Sequence, residues 1–190
     1  LDAGRVDELI DALQGGDAFA RLAMKLTWSA YHFMTVLQDP VGQLPGHMEC
    51  HVFLRRAVEA CRNNGQSLSV VLISPDDFTM INHRFGRAHG DAVVAEIARQ
   101  AAGCVRVTDG VFRYGGAVFA MVLPSTDIDQ ARAAVEKIRA QLCAYGYVDG
   151  TVKLTFSIGA AVALPEELDG PGAVAGILHC ADGCLNTAKL

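Results

Sequence analysis

The apolar pattern predicts an α+β domain, with helices packed on a central sheet behind a helical N-terminal extension. Three observations carry that expectation. The run LSVVLI (68–73) is short, apolar and rich in β-branched residues, as suits a strand buried on both faces. The stretch GVFRYGGAVFAMVL (110–123) divides into two strands around Gly115-Gly116, because two glycines supply the positive φ that a two-residue hairpin turn requires. In VKLTFSIGAAV (152–162), Val152, Leu154, Phe156 and Ile158 alternate with other residues, the period of a half-buried strand.

The remaining elements follow in chain order. Leu9, Ile10 and Leu13 share one helical face, Gly15-Gly16 interrupts, and Asp17 is placed to cap a second helix. That helix carries Phe19, Leu22, Leu26, Ala30, Phe33 and Leu37 at spacings of three and four. The stripe suits either a coiled-coil seam between two copies or a helix packed on its own domain. Asp39-Pro40, Gly42 and Pro45-Gly46 break the chain, so the sequence divides into an extension (1–38) and a domain (39–190). A helix is expected over 47–62, with Phe53, Leu54, Val58 and Cys61 on one side, ended by Asn63-Asn64-Gly65. Further helices are expected over 88–104 (Val93, Val94, Ile97 and Ala101 inward) and 127–144 (Ile128, Ala131, Val135, Ile138 and Leu142 inward). A polar loop over 164–172 leads to a last helix, 173–189.

Composition narrows the function. Of 190 residues, 51% are hydrophobic and 19% charged, and the net charge is −5. Plentiful aliphatic residues exclude disorder. The acidic balance argues against nucleic acid, whose phosphates need surplus Lys and Arg. No apolar run is long enough to span a membrane. With Leu1 in place of an initiator Met and no signal peptide, the sequence reads as a cytoplasmic piece of a longer chain. The six cysteines form no CxxC and no zinc spacing, so reduced, mostly buried thiols are expected. Cys180 and Cys184, with His179, would line one helical face, a weak candidate for metal or redox chemistry.

Five stretches in register resemble the GGDEF domain, the family of diguanylate cyclases: DPVGQLPGH (39–47), SPDDFTMINHRFGRAHGD (74–91), RVTDGVFRYGGAVF (106–119), LTFSIGAA (154–161) and CADGCLNTAKL (180–190). The resemblance implies a palm-like, mostly antiparallel sheet related to adenylyl cyclases. It also implies chemistry in which two such domains, each holding GTP and divalent metal, join the nucleotides into cyclic di-GMP. Metal on a triphosphate needs hard anionic oxygens. The family's carboxylates correspond to Ser74, Ala117 and Val118, so the metal-bearing positions carry none. Asp76 and Asp77 stand nearby, where capping of a strand-to-helix turn is the simpler role.

Other positions keep the family pattern. Asn82 and Asp91 match the pair that reads guanine, an amide and a carboxylate suited to its edge; helix capping is the alternative. Lys189 matches a phosphate contact. Arg106 and Asp109 form the R-x-x-D of the family's product-binding inhibitory site, at the expected offset from Arg113-Tyr114-Gly115-Gly116. A guanidinium grips guanine O6 and N7 bidentately, while an exposed ion pair in a turn would be the plain alternative. Lys137 stands where a second Arg is usual, keeping charge without the planar fork. The expectation is a catalytically inactive, metal-free GGDEF domain that binds cyclic di-GMP, homodimeric through the N-terminal helix or a domain surface. The alternative is a GTP-binding or dimerising module that controls an attached output domain, such as a cyclic di-GMP phosphodiesterase. An active diguanylate cyclase is the least favoured reading.

Overall fold

Four strands form one antiparallel sheet in the order β2–β3–β1–β4. They are β1 (Leu68–Pro75), β2 (Gly110–Gly115), β3 (Val118–Pro124) and β4 (Phe156–Ala163). The structure, a computed structural model, describes residues 41–189. The apolar stripe between Phe19 and Leu37, and with it the expected helical extension, lies outside the described residues.

Helices cover both faces. On one side lie α2 (Phe78–Phe85), α3 (Arg87–Cys104) and α4 (Ile128–Ala144); on the other lie α1 (His47–Asn63) and α5 (Ala173–Ala188). Strand β1 explains the layering. Val71 and Ile73 point into a core with Val93, Val94, Ile97, Phe119, Met121 and Ile138. Leu68, Val70 and Leu72 point the opposite way, among Leu54, Phe112, Val122, Leu178 and Leu185. All eight residues of β1 are buried, as a central strand covered on both faces requires.

The helices begin and end where local chemistry dictates. Asp127 caps α4, its side chain accepting from the Gln130 amide at 2.9 Å while Gln130 Oε1 accepts the Asp127 N–H at 3.1 Å. Gly46 opens α1, where Glu49 reaches back to the Gly46 N–H at 3.1 Å.

Ile128, expected on the inner face of α4, is instead exposed (58%) at the helix start. Three further local expectations need correction. The first concerns the hairpin, which turns through Gly116-Ala117, not Gly115-Gly116, because Gly115 pairs with Val118 and only Gly116 has positive φ (56°). An irregularity between Arg113 and Gly115 moves the loop by one residue. A second correction falls on the final strand, which starts at Phe156. Val152 instead forms a single bridge with Tyr147 across a tight loop, where Val148, Asp149 and Gly150 have φ of 51°, 56° and 82°. The third is α2, a separate helix ahead of the one expected from residue 88. Gly86, at φ 85°, both ends α2 and starts α3, a conformation that costs glycine little.

Candidate functional site

Two groups of predicted site residues lie toward opposite ends of the sheet. At one end β1 finishes and β3 begins. Ile73 pairs with Phe119, so the next residues, Ser74 and Val118, face each other just beyond the ladder, with Ala117 in the adjoining turn. Ser74 is buried; its hydroxyl donates to the Pro75 carbonyl at 3.5 Å. Together the three side chains offer one hydroxyl and no carboxylate.

The nearest candidate substitute is otherwise engaged. Asp76 Oδ1 accepts from Ser157 Oγ at 2.6 Å, and the same hydroxyl lies 3.2 Å from the Ala188 carbonyl at the end of α5. Ser157, which no sequence pattern marked, thus ties Asp76, β4 and α5 together, one residue from Lys189. Capping does not explain the two aspartates: Asp76 bonds to Ser157, and Asp77 occupies the N-cap of α2 without a side-chain cap bond. Among the described residues, no group of three or more His, Cys, Asp or Glu side chains is arranged to hold a metal ion.

Asn82 lies in α2 and Asp91 in α3, on either side of the Gly86 junction. Neither helix has a side-chain cap bond, and both residues lie within their helices, so the capping alternative does not hold. Asn82 lies over Gly90, the residue before Asp91. A Cβ on Gly90 would sit 1.9 Å from Asn82 Oδ1 and 3.4 Å from the Phe78 ring. Glycine at 90 is what lets the amide lie against α3. Asp91 itself is exposed.

The second group surrounds a cavity of about 310 Å³ between the end of α3, the turn into β2, the end of β3 and one flank of α4. Arg106, Asp109 and Lys137 all line it, so residues 31 or fewer positions apart in sequence converge from two elements. Thr126 and Gln130 add polar lining that the sequence did not suggest. Leu123, also in the wall, is five residues along β3 from Val118, so the two sites are about 17 Å apart along the strand.

Asp109 is no member of an exposed ion pair. It is buried, and its Oδ2 accepts the Arg106 backbone N–H at 2.7 Å, while the Asp109 N–H donates to the Arg106 carbonyl at 3.0 Å. The carboxylate therefore fixes the turn that presents the exposed Arg106 side chain. Burial raises the Asp109 pKa against the opposing effects of the Arg106 N–H, the Arg106 charge and Thr108. Lys137 Nζ donates to the Cys104 carbonyl at 3.3 Å, placing a cation at the C-terminal end of α3.

The thiols differ from expectation. Cys50 and Cys61 are buried, Cys104 and Cys143 half-buried, and Cys180 and Cys184 exposed; all six are free. No helix among the described residues is long and apolar enough to cross a membrane.

An antiparallel four-stranded sheet with helices on both faces and a glycine hairpin beside the end of its central strand defines the palm-type cyclase class. The chain belongs to the family described as "Diguanylate cyclase, GGDEF domain", which it matches over residues 36–190. Diguanylate cyclase DgcM of Escherichia coli K12 is 38% identical over 96 residues, 50% of this chain and 23% of that protein. Diguanylate cyclase TpbB of Pseudomonas aeruginosa PAO1 is 34% identical over 154 residues, 80% of this chain and 34% of TpbB. The chain thus spans about a third or less of these relatives' length. The solved GGDEF domain of TpbB superposes with a TM-score of 0.71 at 34% identity, covering 80% of this chain and 88% of that one. The coiled coil and GGDEF domain of DgcB from Caulobacter crescentus, solved in complex with c-di-GMP, shares the fold (TM-score 0.73, 22% identity, 95% of this chain and 94% of that one).

Proposed function

We propose that this is a catalytically inactive GGDEF domain that acts as a receptor for cyclic di-GMP within a longer signalling protein. The observation that carries the reading is the convergence of Arg106, Asp109 and Lys137 on one cavity. Its volume stands at the lower end of ligand sites, suited to one guanine with the rest of the ligand outside. Arg106 grips the O6 and N7 edge, Lys137 contributes charge to base or phosphate, and Asp109 holds the turn and lines the floor. The net charge of −5 repels a ligand with two phosphates at long range, so these two cations must supply the local attraction.

Inactivity rests on the donor set. Mg²⁺ needs hard anionic oxygens in near-octahedral geometry, and Ser74, Ala117 and Val118 offer a single neutral hydroxyl. The family's metal does not fit these residues, so no catalytic step is assigned to them. The alternative, a GTP-responsive or dimerising module controlling an attached domain, draws on Asn82 beside Gly90 and Asp91.

Calorimetry with cyclic di-GMP and with GTP, each with and without Mg²⁺, separates the readings. Micromolar binding of cyclic di-GMP is expected. Arg106→Ala removes a charged contact of about 1.5–3 kcal/mol, or roughly 10- to 100-fold in affinity, while Asn82→Ala and Asp91→Ala leave it unchanged. GTP binding that depends on Asn82, with no response to cyclic di-GMP, would replace the receptor reading. Metal-dependent formation of cyclic di-GMP from GTP would overturn inactivity.

A further inference from the structure

The first turns of α1 carry His47 and His51, four residues apart and on one face of the helix. Their Nε2 atoms are 3.3 Å apart. Tyr114 of β2 packs against both rings, with centroids 4.7 Å from His47 and 6.3 Å from His51. The imidazoles are themselves 4.5 Å apart, centroid to centroid. None of these side chains belongs to the two sites above. Glu49, between them in sequence, is buried and spent on the Gly46 N–H.

We propose that His47 and His51 form a bidentate site for a borderline divalent transition-metal ion, Zn²⁺ being the representative case. The geometry is the warrant. Two imidazole nitrogens at about 2.0–2.1 Å from a tetrahedral ion stand about 3.3–3.4 Å apart. The separation here is 3.3 Å, a distance at which one neutral imidazole N–H also reaches the other ring's nitrogen in the metal-free pair. Binding needs both Nε2 lone pairs free, so any proton between them moves to an Nδ1 position or to solvent.

Tyr114 braces the two rings from the neighbouring strand, reducing the rotamer freedom that chelation must remove. His47 is exposed and His51 half-buried, so two coordination positions remain open to water or to a ligand from another molecule. Imidazole selects Zn²⁺, Ni²⁺ or Cu²⁺ over Mg²⁺, which sets this site apart from one built on carboxylates. An open two-ligand site holds its ion exchangeably.

The test uses the full 190-residue chain carrying Cys180→Ser and Cys184→Ser, so that the exposed thiols of α5 do not compete. Calorimetric titration with Zn²⁺ is expected to show one ion bound per chain, weakened roughly tenfold or more by His47→Ala and by His51→Ala. In long-range ¹H–¹⁵N spectra the rings of His47 and His51 should shift on adding Zn²⁺, while those of His83, His89 and His179 should not. Should His51→Ala fail to fold, the exposed His47→Ala carries the comparison, its fold checked by thermal melting. Absence of binding, unchanged affinity in His47→Ala, or shifts confined to other histidines would overturn the proposal.

Discussion

Replacing Gly159 by alanine should be among the most damaging single-methyl changes in the domain. Gly159 sits in β4 opposite Leu72, beneath α5. A Cβ there would lie 2.2 Å from the Leu185 amide nitrogen, 2.3 Å from the Ala181 carbonyl oxygen and 2.7 Å from Leu185 Cα. Real Cβ atoms essentially never come within 3.0 Å, so the helix must withdraw by roughly 1 Å. Backbone cannot rotate aside as a side chain can. The shift also pulls Ile177, Leu178, Ala181 and Leu185 from the core they share with Val70 and Leu72. Overpacking costs about 1–3 kcal/mol, and a clash with backbone belongs at the upper end. At that size of chain, about 3 kcal/mol lowers the melting temperature by roughly 6–12 °C. Calorimetric melting of Gly159→Ala beside Gly115→Ala, whose Cβ meets nothing within 4 Å, isolates the effect. A Gly159→Ala protein within about 1 kcal/mol of the parent would refute the close approach of α5 to β4.

Gly90→Ala tests the opposite case: its clash is with the movable Asn82 side chain, and the helix gains about 0.5–1 kcal/mol of propensity, so urea midpoints should change little. Ser157→Ala removes the donor to Asp76 Oδ1 and should cost about 1.5–3 kcal/mol in urea unfolding. The Cys50 thiol is pushed up to about 12 by burial, so native protein at pH 8 should be alkylated at Cys180 and Cys184 well before Cys50, as peptide mapping would show; equal rates would contradict the burial. Burial raises the Asp109 pKa above its ordinary 3.8, so the folded state holds that proton more tightly than the unfolded chain. Its contribution to stability therefore falls as pH rises from the unfolded value through the folded one. Asp109→Asn should remove that slope, and an unchanged profile of stability against pH would contradict it.

The elements legible in the sequence were those with a strong period. Buried β1 and helices α1, α3 and α4 each show apolar spacing that their cores then use, Ile128 at the exposed start of α4 excepted, as with Val71 and Ile73 on one face and Val70 and Leu72 on the other. The failures arose where one residue's backbone decides. Gly86 at φ 85° splits α2 from α3, and no apolar spacing reports a φ angle. Val152 continues the alternation of β4 yet bridges to Tyr147, because the left-handed run at 148–150 folds the chain back locally. At the sites, the family resemblance pointed to Arg106 and Asp109, but not to the carboxylate's bond with the Arg106 backbone. Thr126, Gln130 and Ser157 arrive through tertiary packing, from elements whose approach no local pattern encodes.

The hairpin shows why a fold of this family tolerates such different residues at its tip. What builds it is Gly116 at φ 56°, the Gly115–Val118 pair, and Phe119 fully buried opposite Ile73. None of these needs a carboxylate at 117 or 118. Ala117 and Val118 instead pack against the two cores as half-buried apolar groups, where a carboxylate would have to be desolvated. A pair of acids held close at this end repels itself unless a cation lies between, and such a pair draws stability only from its ligand. Aliphatic side chains at 117 and 118 carry no such repulsion. The cavity about 17 Å along β3, built by Asp109 and the α3–β2 turn, shares no lining residue with this end of the sheet. Introducing acids at Ala117 and Val118 should accordingly lower the melting temperature in the absence of divalent metal, while leaving unchanged the binding of cyclic di-GMP proposed for the Arg106 cavity. A loss of binding in parallel with the loss of stability would show that the two ends of the sheet are coupled.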